Sequence, residues 1–153
     1  MNYIVIAIVS VVIIAILVIF YLLIVRKRRV LNKRYFQNKW KQLQSQCLNK
    51  KSWYQVIIDA DNLLDEALTK RHFSGKSTGE KLVSAQHEFT INKELWSAHN
   101  FKKKIVENQI TKLNKKETIA ALNTFRQALS ELGAINLKKS IKKEKRGTSL
   151  KKI

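Results

Sequence analysis

No charged residue occurs in the first 25 positions, and residues 3–25 are aliphatic apart from Ser10 and the aromatics Tyr3, Phe20 and Tyr21. At the helical rise of ~1.5 Å per residue this run reaches roughly 34 Å, enough to cross a hydrocarbon core about 30 Å thick with some tilt. Its many β-branched residues lower helix propensity in water. In lipid, every backbone N–H and C=O must be satisfied within the segment, and that selects the helix. Arg26, Lys27, Arg28 and Arg29 follow at once, then Lys33 and Arg34. The positive-inside rule therefore places the N-terminus outside and the bulk of the chain in the cytoplasm. A cleaved signal peptide would need a basic stretch before a shorter apolar run and a small-residue cleavage site after it. The expectation is a retained transmembrane anchor over residues 1–25, spanning about 3–25, in the cytoplasmic membrane.

The net charge of +19 suggests a nucleic-acid binder until it is divided along the chain. Residues 26–51 carry ten Lys/Arg and no acid, residues 52–135 carry twelve against ten Asp/Glu, and residues 136–153 carry eight against Glu144 alone. The central part is thus nearly neutral and the flanks hold the charge. A juxtamembrane basic cluster is drawn to anionic lipid by ~1 kcal/mol per Lys/Arg near the surface. Arg26, Lys27, Arg28, Arg29, Lys33 and Arg34 are accordingly assigned to the headgroups, without any nucleic acid. Cys47 is the only cysteine, which excludes an intramolecular disulfide and fits a reducing compartment. Proline is absent, so nothing obliges a helix to break.

Hydrophobic spacing predicts helices throughout and no strand. Phe36, Trp40, Leu43 and Cys47 form a stripe on a basic, amide-rich segment, a connector helix within 26–51 that lies on the headgroups or against the domain beyond. Ser52 and Gln55 suggest a capping box opening a helix with Trp53, Val56, Ile57, Ala60, Leu64, Ala67 and Leu68 on one face. Gly75 is the residue near its end suited to a positive φ. Ser77 and Glu80 make a second capping box, and Asn92 is expected to cap a helix carrying Leu95, Trp96, His99, Ile105 and Val106. A last helix aligns Ile119, Leu122, Phe125, Leu129 and Leu132 and stops at Gly133. The fold class is all-α: one transmembrane helix followed by a compact, mostly antiparallel bundle over 52–135, with a basic, disordered tail over 136–153.

Asp59, Asp61, Asp65 and Glu66 gather most of the acidity onto one helix, and His99 falls on an apolar helix face beside Lys102, Lys103 and Lys104. Asp59, Asp61, Asp65 and His99 are candidates for a polar site. The simpler reading is a solvated acidic face and a packed histidine. No zinc-ligand spacing, phosphate-cradling glycine loop, GxSxG or HExxH motif occurs, so no metal or cofactor is expected. Trp40, Trp53 and Trp96 lie on apolar stripes, which favours packing over base stacking.

Four blocks of sequence carry a resemblance: WYQVIIDADNLLDEAL from Trp53, FSGKSTGEKL from Phe73, LWSAHN from Leu95 and ALSELGAI from Ala128. Their order and spacing over about residues 50–135 resemble a family of bacterial membrane-anchored helical proteins of uncharacterised function. That family is in turn similar to the HEPN helical-bundle superfamily. HEPN ribonucleases place an Arg four to six positions before a His, and in the relatives resembled here the helix reads approximately Ala-His-Lys-x-Arg-Asn-x-Ile-Ala-His-Glu. In this chain Lys102 stands at the Arg position, Lys103 at the Asn and Glu107 at the His. The resemblance thus implies a helical bundle from which the ribonuclease motif has been lost. Metal-free RNA cleavage needs a group that exchanges protons near neutrality and a cation for the phosphorane, and a glutamate one turn from Lys103 is poorly tuned for the first task.

The pattern favours a non-catalytic binding or scaffolding module at the inner leaflet. Its alternatives are an RNA-directed HEPN-like module and a structural subunit of a membrane complex. The implied partners are the bilayer with its anionic headgroups and a further protein held by the bundle, with nucleic acid reached through the basic tail.

Overall fold

The structure is a computed structural model that describes residues 2–25, 30–110 and 112–137, with side chains in the first helix over 7–20. Arg26, Lys27, Arg28, Arg29 and residues 138–153 of the tail lie outside the described residues. Among the described residues every regular element is helical: α1 (Asn2–Val25), α2 (Lys33–Gln46), α3 (Trp53–Lys70), α4 (Thr78–Ser84), α5 (Asn92–Val106) and α6 (Lys115–Glu131), with single 3₁₀ turns at Lys50–Ser52 and Gln86–Glu88.

The first helix is unbroken, and its one hydroxyl, Ser10, donates to the Ala7 carbonyl at 2.8 Å. Its described large apolar side chains are half or more exposed, from Val12 at 50% to Val11 at 65%. Among the described residues no helix is long and apolar enough to cross a membrane. The side chains described in α1 cover residues 7–20 alone.

The remaining helices form a bundle organised around α3. Val56, Ile57, Ala60, Leu64, Ala67 and Leu68 are fully buried there, because α3 packs against α2, α4, α5 and α6 together. The helix ends fix the directions. Trp53 at the start of α3 donates its indole N–H to the Cys47 carbonyl at the end of α2, at 2.9 Å, so these two helices run antiparallel. Arg71, just past α3, donates to the Leu132 carbonyl at the end of α6 at 3.1 Å and stands 3.4 Å from Glu88. The C-termini of α3 and α6 therefore share one end of the bundle, where the cationic guanidinium answers the Leu132 carbonyl. Thr90, just before α5, donates its backbone N–H to Glu131 at the end of α6 at 3.0 Å, which makes α5 and α6 antiparallel.

Of the two placements open to the connector helix, the structure packs its stripe on the domain beyond: Leu31, Phe36, Trp40 and Leu43 belong to the buried core, which therefore extends N-terminal of residue 52. Asn32 caps α2 by accepting from the Tyr35 N–H at 3.2 Å, with buried Leu31 and Phe36 at the positions of a hydrophobic staple. Tyr35, Glu66 and Lys70 then tie α2 to α3: the phenol donates to Glu66 at 3.0 Å, and the Lys70 ammonium lies 2.7 Å from Glu66 and 4.4 Å from the Tyr35 ring centroid. The hydrogen bond to Glu66 raises both the Tyr35 phenol and the Lys70 ammonium above their ordinary pKa values.

Several local signals resolved differently from their sequence reading. Ser52 is helical and makes no side-chain cap, because Asn49 starts a 3₁₀ turn before α3 and accepts from the Lys51 N–H. Asn92 does not cap α5 but donates to the Gln86 and Phe89 carbonyls. The end of α3 uses His72 at φ 60°, with the Phe73 N–H returning to the Leu68 carbonyl at 3.1 Å and the His72 N–H to Thr69 at 2.9 Å. Gly75 takes a positive φ of 144°, as its lack of a Cβ allows, and also serves close approach, since a Cβ there would lie 2.7 Å from the Glu80 Cβ. The Ser77–Glu80 box holds, with the Glu80 N–H bonded to Ser77 Oγ and the Glu80 carboxylate accepting from the Lys76 N–H. Gly133 ends α6 at φ 74° as expected. Leu64, Phe125 and Leu129 are fully buried, whereas Trp53, Trp96 and Leu122 sit at the rim of the core and Ile119 is 43% exposed.

Truncating Leu64 or Leu129 to Ala should lower the unfolding free energy by about 2–5 kcal/mol, measured by chemical denaturation, because each leaves a cavity at the α3–α6 contact. A second expectation concerns Glu131. Burial opposes its ionisation, but hydrogen bonds from the Thr90 hydroxyl, Gln127 and the Thr90 N–H outweigh this and hold the carboxyl below its ordinary 4.5. A depressed carboxyl stabilises the fold fully above its ordinary value, and that contribution disappears as the pH falls through the folded value. Acid titration should therefore erode the stability gap between the wild type and Glu131→Gln in the window below 4.5; a gap that stays constant would dismiss this linkage.

Candidate functional site

The chemistry-bearing residues nearest the core come from the middle of α3 and α5. Asp61 shares its face of α3 with Ile57, Leu64 and Leu68, at steps of three and four, so the fold of α3 carries a carboxylate directly into the interior. His99 and Lys102, three apart on α5, meet it from the other side. Asp61 is 0% and His99 7% exposed. His99 Nδ1 is 2.8 Å from Asp61 Oδ1, and Lys102 Nζ is 3.2 Å from Asp61 Oδ2, a close ion pair without hydrogen-bond geometry.

This arrangement satisfies a severe electrostatic demand. An isolated carboxylate in the interior is so costly that it must find a cation or hydrogen-bond donors. His99 supplies the donor when its Nδ1 carries the proton, and Lys102, with 19% of its side chain exposed, supplies the charge. The Trp96 ring meets the imidazole edge-on with centroids 6.0 Å apart. Gly79 of α4 lies over the outer edge of the imidazole, where a Cβ would stand 3.8 Å from His99 Nε2. The histidine is oriented by a carboxylate, as a general base would be, and its second nitrogen lies beside Gly79 of α4.

Of the four candidate polar residues, the structure joins Asp61 and His99 and separates the other two. Asp65 accepts from Lys81 Nζ through both oxygens at 2.9 Å, linking α3 to α4, and Lys81 also reaches Thr69. Asp59 accepts from Gln55 at 2.8 Å and lines a shallow α2–α3 groove of ≈ 340 Å³ with Tyr35, Lys39, Gln42, Asn62 and Glu66. The reading of one solvated acidic face is therefore corrected at Asp61: that carboxylate is interior because its position on the apolar stripe outranks its charge.

The positions aligned with the ribonuclease motif also part. Lys102 turns inward to Asp61, Lys103 is exposed, and Glu107 is the exposed C-cap of α5, accepting from Gln109 Nε2 at 2.8 Å and not from Lys103. Among the described residues no three His, Cys, Asp or Glu side chains gather in a group fit to hold a metal ion. Lys33 and Arg34 are exposed in the first turn of α2.

Lys102 was the member that sequence reasoning did not join to Asp61 and His99. Its spacing of three from His99 was visible, but which acid lay opposite α5 depended on how the helices dock. Compared with protein family models, with curated proteins and with solved structures, the chain matches none.

Replacing Asp61 with Ala should destabilise the protein by roughly 3–5 kcal/mol by leaving a lysine and a histidine without their buried partner. Asp61→Asn, which retains a hydrogen-bond acceptor for His99, should lose less. Denaturation midpoints for the two variants decide the point, and an unchanged midpoint for Asp61→Ala would remove the buried network as a determinant of the fold.

Proposed function

We propose that the protein is a single-pass membrane protein whose α1 anchors a helical bundle at the cytoplasmic face, where the bundle acts as a non-catalytic binding or scaffolding module. The observation that carries this reading is α1 itself, continuous over Asn2–Val25, without a charge in its sequence and with its described apolar side chains turned outward. Such a surface is unfavourable in water and favourable in hydrocarbon. The side chains at the two ends of the span lie outside those described, and there the reading rests on the sequence. Arg26, Lys27, Arg28 and Arg29 after the apolar run support the inward orientation.

The non-catalytic part is supported by the burial of His99 against Asp61 and the ion pair that commits Lys102 to the same carboxylate. Both groups are engaged within the bundle, and Glu107 offers no imidazole. These features weigh against a working HEPN-type ribonuclease more than against a helical adaptor.

Membrane fractionation tests the anchor. The protein should stay with the membrane through a high-salt wash, because salt screens the basic cluster but leaves the apolar helix in lipid. Ile13→Lys, at an insertion penalty of roughly 2.5–3.5 kcal/mol near the helix centre, should shift protein to the soluble fraction. Protease added outside intact cells should spare residues 30–153. Release of the wild type by salt would refute the anchor, and outside digestion would reverse the topology.

A further inference from the structure

The outward side of α2 is basic from end to end. Residues 30–51 contain six Lys/Arg and no Asp or Glu, and Lys33, Arg34, Lys39, Lys41, Lys50 and Lys51 are all exposed. Packing sorts them. With Phe36, Trp40 and Leu43 turned into the core, Arg34 and Lys41 share the outer side, two turns apart, while Lys39 turns toward the Tyr35 ring. The backbone keeps turning past the helix end, with the Leu48 N–H bonded to the Ser45 carbonyl and the Asn49 N–H to Gln46, so Leu48 falls near the same line, two turns beyond Lys41. Leu48 is 90% exposed, as is Val30 at the other end of α2.

From this pattern we infer that α2 lies in the plane of the membrane, with Arg34 and Lys41 on anionic lipid headgroups and Leu48 inserted at the headgroup–acyl boundary. The inference rests on the anchor reading and adds the orientation of the bundle to it. Lys33 lies eight residue steps beyond Val25, so the start of α2 stands at most roughly 28 Å from the end of the apolar run. Laid flat, α2 places the whole line within reach of the surface; stood upright, it would carry Leu48 about 21 Å further out, beyond a Debye length of ~8 Å. An exposed aliphatic among basic side chains matches the chemistry of interfacial helices. RNA is a poorer fit: Trp40 is buried, Trp53 is half-buried with its N–H held by the Cys47 carbonyl, and Leu48 offers a base no ring on which to stack.

The test uses the full chain carrying Cys47→Ser and Leu48→Cys, with a nitroxide on the new thiol, in nanodiscs of phosphatidylcholine with or without phosphatidylserine. Accessibility to an aqueous relaxation agent is measured by electron paramagnetic resonance. In phosphatidylserine discs the label should be shielded from the aqueous agent, and in neutral discs or high salt it should be exposed. Arg34→Gln with Lys41→Gln should lower the ratio of docked to undocked bundle roughly thirtyfold. A nitroxide at Asn38, exposed, one turn from Arg34 and outside the core, gives an independent reading should the label at 48 disturb folding. A label that stays in water in phosphatidylserine discs, while the protein resists a salt wash, overturns this inference and leaves the anchor standing. Equal immersion in neutral discs removes the electrostatic basis, and shielding by added single-stranded RNA in preference to lipid transfers the surface to a different partner. Loss of the protein from every disc on salt washing overturns the anchor and this orientation together.

Discussion

The buried contact of Asp61 with His99 and Lys102 is the constraint around which the bundle is built. A carboxylate at the centre of α3 is tolerable only if α5 docks in a single register, with its imidazole on one oxygen and its ammonium near the other. Apolar side chains alone permit sliding, since one leucine packs against another with little directional preference. The polar contact removes that freedom. Around it, Asp65 takes Lys81 from α4, and Glu66 takes Tyr35 from α2 and Lys70 from its own helix, so three successive acidic positions of α3 engage three different neighbours.

The helix ends show how a chain without proline stops its helices. α3, α5 and α6 each finish with a left-handed residue and a backbone N–H returned to the last turn: His72, Asn108 and Gly133. Only the last of these is glycine. The other two accept a conformation that a side chain disfavours, because the returning hydrogen bonds and the packing of Phe73 against the core outweigh the strain.

Legibility in the sequence followed the range of each interaction. The stripe Val56, Ile57, Ala60, Leu64, the Ser77–Glu80 box and the stop at Gly133 are local patterns, and each is found where it was read. The box at Ser52 was false because Asn49 offered the backbone a competing turn three residues earlier; Gly75 does take the positive φ that its missing Cβ allows, but the stop of α3 itself falls on His72, which composition does not mark. The partition of the acidic cluster was hidden for a different reason. Asp61 sits on the apolar stripe, which was visible, but its fate depended on Lys102 and His99, some forty residues away. The extension of the core into α2 was open for a similar reason, since Phe36 and Trp40 read equally well as a membrane-facing or a core-facing stripe.

The pairing of α3 with α6 bears on the order in which the bundle is assembled. Contacts between α2 and α3, and between α5 and α6, join neighbours in the chain, whereas α3 meets α6 across a long intervening segment. Loop-closure entropy favours the two hairpins first and their docking last. During synthesis, α3 emerges with its Leu64 and Leu68 face complete while Phe125 and Leu129 have yet to be made, so an apolar helix bearing an unneutralised carboxylate must wait beside the ribosome for its partners.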